Sequence, residues 1–159
     1  MQPQTLQDAE RVVDLLEEHF GKALIAVALF GSAARGEART TSDLDLFAII
    51  EGLPARHFKR CTLLNDLVLP RVPRRVTVVA KTPREFAQAF PPLYLDLGLD
   101  AQVLYDSDGF LGERLAHIRR IIRQAGLRRV RRDGDFAWRW RKPPRRGWEI
   151  TWEGYRELE

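Results

Sequence analysis

The sequence predicts an α/β (α+β) protein: a small mixed sheet flanked by helices, with a C-terminal helix and β-hairpin as an extension. Three observations lead there. Apolar runs of strand length at residues 22–30, 44–50 and 74–80 are separated by stretches with helical periodicity. A chain of 159 residues, 45% hydrophobic and 30% charged, is long enough for one real core and short for two. Past residue 106 the pattern changes to a basic helix and then to alternating aromatic and cationic residues. We therefore expect a core over 1–106 and an extension over 107–159 packed on it as a single compact domain.

The elements follow in order. Leu6, Ala9, Val12, Val13, Leu15, Leu16 and Phe20 recur at helical spacing, and Gly21 supplies a stop. The run "KALIAVALF" is continuous enough for a strand buried on both faces. A short helix over 33–37 and a polar turn over 39–42 lead into the strand at 44–50. Pro54 precedes a helix over 55–69 that Pro70 closes, and "RRVTVVA" is a β-branched third strand. Thr82, Pro83 and Glu85 form a capped helix start that Pro91-Pro92 breaks. A further helix and a short strand at 102–105 precede a long basic helix over 108–124. The tail then alternates around Asp133-Gly134 as a hairpin would.

Composition excludes several classes of function. Cys61 is the sole cysteine, so an intrachain disulfide and a cysteine zinc site are ruled out, and its apolar helical setting predicts a buried structural thiol. His19, His57 and His117 show no ligand spacing. No apolar run approaches membrane-spanning length, and the first helix is interrupted by Asp8, Glu10, Arg11 and Asp14. An ordinary helix rather than a signal peptide, no membrane partner and a cytoplasmic location are the expectations. The net charge of +4 is uneven, with much of the arginine between Arg114 and Arg146. Arginine far outnumbers lysine, a bias that genome composition or the heat adaptation of a thermophile would produce.

The chemistry concentrates in "LFGSAARGEARTTSDLDLFAII". Gly31 ends a buried strand where the chain must turn sharply, and a residue without Cβ permits a close approach there. Ser32 follows at a helix start, where backbone N–H groups and a hydroxyl can meet phosphate oxygens. Asp43 and Asp45, at i and i+2 on a strand, share one face, where two unpaired carboxylates repel each other. A divalent cation between them reverses that penalty. Oxygen ligands of this kind suit Mg²⁺, which shares its shell with substrate phosphates. Phosphate cradle and carboxylate pair together describe metal-assisted phosphoryl or nucleotidyl transfer.

The spacing of Gly31, Ser32, Gly36, Ser42, Asp43 and Asp45 resembles the signature of the polymerase-β-type nucleotidyltransferase superfamily, in its minimal prokaryotic and archaeal, antitoxin-like form with a C-terminal extension. The resemblance implies the nucleotidyltransferase fold. It implies Asp43 and Asp45 as catalytic ligands of Mg²⁺ (or Mn²⁺), and Gly31, Ser32 and Ser42 with Arg35 at the nucleotide phosphates. Arg39 is near enough to assist, and either arginine could equally be solvated. The implied reaction moves a nucleoside monophosphate from an NTP, ATP first among them, to an acceptor hydroxyl and releases pyrophosphate. Association with a helical partner protein of toxin–antitoxin type is implied as well.

The family's third carboxylate is missing. The strand that should bear it has Thr77 between Val76 and Val78, and no Asp or Glu lies between Asp66 and Glu85. Either a base comes from Asp96, Asp100 or Glu51, or the protein is a catalytically weakened module of this fold that binds a partner protein or RNA. The segment "FAWRWRKPPRRGWE" permits two readings: tryptophans and arginines that contact nucleic acid, or a hairpin with Phe136, Trp138 and Trp140 on the core face. The alternation favours the second.

Overall fold

A computed structural model describes residues 1–39 and 41–159. Helix α1 runs over Pro3–Phe20 and closes on Gly21, after which Gly21–Ala23 make one 3₁₀ turn. Strand β1 therefore occupies Leu24–Phe30, two residues shorter than the apolar run suggests. The one-turn helix α2 spans Gly31–Ala34, earlier than expected, and β2 spans Leu44–Ile50 as expected. The polar turn anticipated between them includes Thr40, which lies outside the described residues. Next come α3 (His57–Val68), β3 (Val76–Lys81), α4 (Pro83–Gln88), α5 (Pro92–Asp100) and β4 (Gln102–Asp106). Helix α6 (Phe110–Ala125) leads to β5 (Leu127–Arg132) and β6 (Asp135–Trp140), which turn at Asp133-Gly134. A second hairpin, β7 (Trp148–Thr151) with β8 (Gly154–Glu157), was not legible in the sequence because each strand is only four residues long.

The central sheet has the order β3-β2-β1-β4. Strands β1 and β2 are antiparallel, β1 and β4 antiparallel, and β2 and β3 parallel with α3 as the crossover. A mixed sheet follows from this connectivity: the crossovers through α3 and through α4–α5 return β3 and β4 in the direction of β2, and β1 alone runs the opposite way.

Alternation along the strands divides the core. Leu44, Leu46, Ala48 and Ile50 of β2 face α1 and α3, where they meet Val12, Leu16, Leu64 and Val68. Phe47 and Ile49 face the other way, onto Phe86, Tyr94, Leu97 and Ile118 of α4, α5 and α6. At Gly98 a Cβ would come 2.5 Å from Ile118 Cγ2, so only glycine permits the approach of α5 to α6. Leu6, placed in the α1 stripe by its spacing, is 37% exposed. Cys61 is also not the buried thiol expected: it is half-buried, with Sγ 3.3 Å from His57 Nε2 one helical turn away. The α3 stripe that reaches the core is Arg60, Leu64 and Val68, which turns Cys61 toward the surface.

The capping prediction for α4 holds. Thr82 Oγ1 accepts from Glu85 N at 3.2 Å, and Thr82 N donates to Glu85 Oε1 at 3.1 Å. Trp138 and Trp140 are half-buried and pack on the core, Arg139 between them is exposed, and Phe136, expected on the same face, lies instead against the guanidinium groups of Arg35, Arg129 and Arg131. Trp148 is 47% exposed and meets Trp140 edge-on at 4.9 Å. Among the described residues, no helix is long and apolar enough to cross a membrane.

Candidate active site

The antiparallel register sets Phe30 opposite Asp45, so the glycine that follows β1 lies against the second aspartate of the motif. Gly31 has φ +72°, and a Cβ there would stand 2.5 Å from Asp45 Oδ2. Glycine is required twice over, by the left-handed backbone and by the carboxylate pressed on it. Helix α2 then makes a single turn, in which Arg35 N donates to Gly31 O and Glu37 N to Ser32 O. Ser42 closes the loop before β2: its Oγ accepts from Arg39 N at 2.9 Å, and its N donates to Arg39 O at 3.0 Å. The Ser42 hydroxyl thus has a structural task, although its proton remains available to donate. Arg39 is exposed, and its carbonyl accepts from Arg74 Nη2 at 3.1 Å. Because Arg74 also pairs with Asp8 at 3.5 Å, the loop carrying the motif is tied back to α1.

Asp43 is exposed and faces Arg75 at 3.7 Å. Asp45 is half-buried, and burial raises its pKa, with the charge of Asp43 adding to the rise and Arg35 opposing it. A carboxylate pair under that strain, open to solvent on one side, fits a hard divalent cation through its oxygens. Strand β3 places Thr77 directly alongside Asp45, on the same face of the sheet. The missing acid is therefore a gap in space as well as in the motif. Among the described residues no three His, Cys, Asp or Glu side chains come together as a metal cage. The donor set suits one cation that completes its shell with substrate oxygens, and supplies no carboxylate for a second.

The alternative bases anticipated from the sequence are otherwise engaged. Asp100 accepts from Arg129 through both oxygens, at 2.7 and 2.6 Å, and from Arg35 Nη1 at 3.1 Å. Burial would raise the Asp100 pKa, but the hydrogen bonds from Arg129 and Arg35 outweigh it and hold the carboxyl below its ordinary value. Asp96 accepts from Arg129 Nη1 at 3.1 Å and from Trp138 Nε1 at 3.2 Å. Glu51 follows the far end of β2, roughly 20 Å along an extended chain from Asp45.

Arg35, by contrast, is held at the site. Its Nη1 meets Asp100, its Nε meets Glu37 at 3.3 Å, and its guanidinium lies 4.8 Å from the Phe136 ring centroid. The two acids take Nε and Nη1, and Nη2 keeps donors to offer a ligand. Arg129 sits 4.1 Å from the same ring, so the β5–β6 hairpin reaches the mouth of the motif. A cleft of about 180 Å³ lies there, bordered by Gly31, Arg35, Leu93 and Phe136. Arg129, Phe136 and Arg75 carried no sequence signal, because each acts across a fold-dependent contact rather than a local spacing.

Comparison with known proteins agrees with this geometry. Residues 9–98 match the family model described as the nucleotidyltransferase domain. A candidate protein adenylyltransferase of Methanocaldococcus jannaschii is 34% identical over 112 residues, covering 68% of this chain and 76% of that protein. Among solved structures, a toxin–antitoxin complex with AMP-PNP superposes with a TM-score of 0.56 at 16% identity, over 73% of this chain and 87% of the other. A chain of the tri-AMPylated Shewanella oneidensis HEPN toxin in complex with MNT antitoxin gives 0.52 at 15% identity, over 76% and 87%. Spectinomycin adenyltransferase from Enterococcus faecialis, with ATP and spectinomycin, gives 0.53 at 12% identity, over 76% and 65%. With the motif, the mixed sheet and the family match in accord, this chain belongs to the nucleotidyltransferase domain family.

Proposed function

We propose that this protein is a Mg²⁺-dependent adenylyltransferase that moves AMP from ATP to a hydroxyl of a partner protein. The observation that carries the reading is the contact between Gly31 and Asp45, which joins a phosphate cradle to a carboxylate pair within one turn of chain. Gly31 and Ser32 would receive the β- and γ-phosphates, and Arg35 Nη2 would meet their charge. Asp43 and Asp45 would hold Mg²⁺ or Mn²⁺, which supplies charge neutralisation at the phosphates when bound. The acceptor oxygen forms a bond to the α-phosphorus as the α–β bridging bond breaks, and pyrophosphate leaves. The hydroxyl proton must be taken up without a carboxylate at position 77, so transfer is expected to be slow. A protein acceptor is supported by the adenylyltransferase name of the M. jannaschii relative and by toxin–antitoxin complexes among the structural neighbours.

Thr77 alone favours a second reading, a module of the same fold that binds nucleotide or a partner and transfers little. Calorimetry of ATP with Mg²⁺ and then with EDTA, on the wild type and on Asp43→Asn/Asp45→Asn, tests the site. Incubation with ATP labelled in its α-phosphate tests the transfer. Mg²⁺-dependent binding that the double variant loses, with label passing to a protein, supports the first reading. Binding without label transfer to any acceptor supports the second, and absence of binding at millimolar ATP defeats the first and leaves the second as a partner-binding module.

A further inference from the structure

A second concavity lies between α5, α6 and the β5–β6 hairpin, and shares Arg129 with the cleft at the motif. Its volume is about 420 Å³, its floor includes Leu127 and Trp138, and its walls carry Leu99 with Arg123, Arg128 and Arg141. Leu99 is 46% exposed there, a large apolar side chain beside three exposed guanidinium groups.

The hairpin register concentrates the charge further. Leu127, Arg129 and Arg131 pair with Trp140, Trp138 and Phe136 on the inward face, and the outward face sets Arg128 directly opposite Arg139. Like charges in cross-strand positions are unfavourable. The neighbouring Arg129 and Arg131 of the same hairpin do pair with acids, with Asp96 and Asp100 and with Glu37. Among the described residues, no carboxylate pairs with Arg123, Arg128, Arg139 or Arg141.

Four uncompensated guanidinium groups beside an apolar recess describe a site for a ligand that is anionic along one edge and flat and apolar along another. Guanidinium binds phosphate oxygens bidentately and stacks on planar rings, which an ammonium does not. We propose that this recess binds single-stranded nucleic acid, with backbone phosphates on Arg123, Arg128, Arg139 and Arg141 and a base against Leu99 and Trp138. Trp138, one of the tryptophans that alternate with arginine in the sequence, thus serves as a floor under the site rather than as an exposed stacking platform. The inference uses none of the residues assigned to nucleotide transfer.

The test is fluorescence anisotropy with a labelled RNA oligomer of about ten nucleotides, within the usual span of such sites, at several salt concentrations. The comparison set is the wild type, Arg123→Ala/Arg128→Ala/Arg141→Ala, Leu99→Asp and Asp43→Asn/Asp45→Asn. All of these positions except Asp45 are exposed, and circular dichroism checks each fold. Wild-type binding that weakens at least ten-fold in the triple variant, with a salt slope shallower by about 2, is the expected result. Leu99→Asp should also weaken binding, and Asp43→Asn/Asp45→Asn should bind as the wild type does. The proposal is overturned if the wild type does not bind, or if the triple variant binds equally well. Equal competition by polyglutamate would reassign the recess to an acidic protein segment, and equal competition by free ATP would reassign it to a mononucleotide. Either outcome overturns the proposal.

Discussion

Thr77 lies beside Asp45 in the parallel register of β2 and β3, with its side chain on the sheet face that bears Asp45. The position is exposed, on an edge strand, and backed by Val76 and Val78, which turn to the opposite face. A carboxylate can therefore be added there without disturbing the core.

Thr77→Asp is expected to raise the rate of AMP transfer. A general base in place typically contributes about 10²-fold or more. Release of pyrophosphate, followed for both proteins under saturating Mg²⁺ and ATP, is the measurement. An unchanged rate would mean that the proton already has another route.

Gly31→Ala should damage fold and site together. The added Cβ meets Asp45 Oδ2 at 2.5 Å while φ stays at +72°, and strain of this kind costs on the order of 1–3 kcal/mol. Chemical denaturation reads the loss of stability, and calorimetry reads the loss of Mg²⁺-dependent ATP binding. A stable variant that still binds ATP would remove Gly31 from the cradle.

Asp100→Asn weakens the anchor shared by Arg35 and Arg129, whose side chains are 22% and 10% exposed. Hydrogen bonds to charged groups contribute about 1.5–3 kcal/mol, and a loss in that range is expected. Released from Asp100, Arg35 should bind the nucleotide phosphates less well, so ATP affinity should fall along with stability. Denaturation and ATP titration of the same preparation separate the two effects.

Much of this fold was legible, and the reasons differ by element. The strands at 44–50 and 102–106, the box of Thr82 and Glu85, and the turn at Asp133-Gly134 rest on local spacing and local hydrogen bonds. The depth of Cys61 and of Leu6 was not, because burial depends on which part of a helix face another element covers.

Glu85 offers a test against pH. Its hydrogen bonds to Arg60, reinforced by Thr82, lower its pKa to about 2 from 4.5 in spite of some burial. A folded-state pKa below the unfolded value adds stability that is complete above pH 4.5. That stability is lost as pH falls toward 2. Glu85→Gln should therefore be less stable than the wild type at pH 7, and the gap should close in acid. Urea denaturation at pH 7 and near pH 3 measures both, and a gap that stayed constant would remove the Arg60 pair as its cause.

The sequence by itself determined the motif and its setting. Gly31-Ser32 stands after one apolar strand and Asp43 with Asp45 at the head of the next, and the antiparallel pairing of those two strands brings Phe30 and Asp45 into register. Only the tertiary structure decided what surrounds them. Arg35 finds Asp100 across 65 positions of chain, and Asp100 finds Arg129 across 29. These pairs form because α5 and the β5–β6 hairpin cover the same sheet face, and no periodicity along the chain encodes which faces meet.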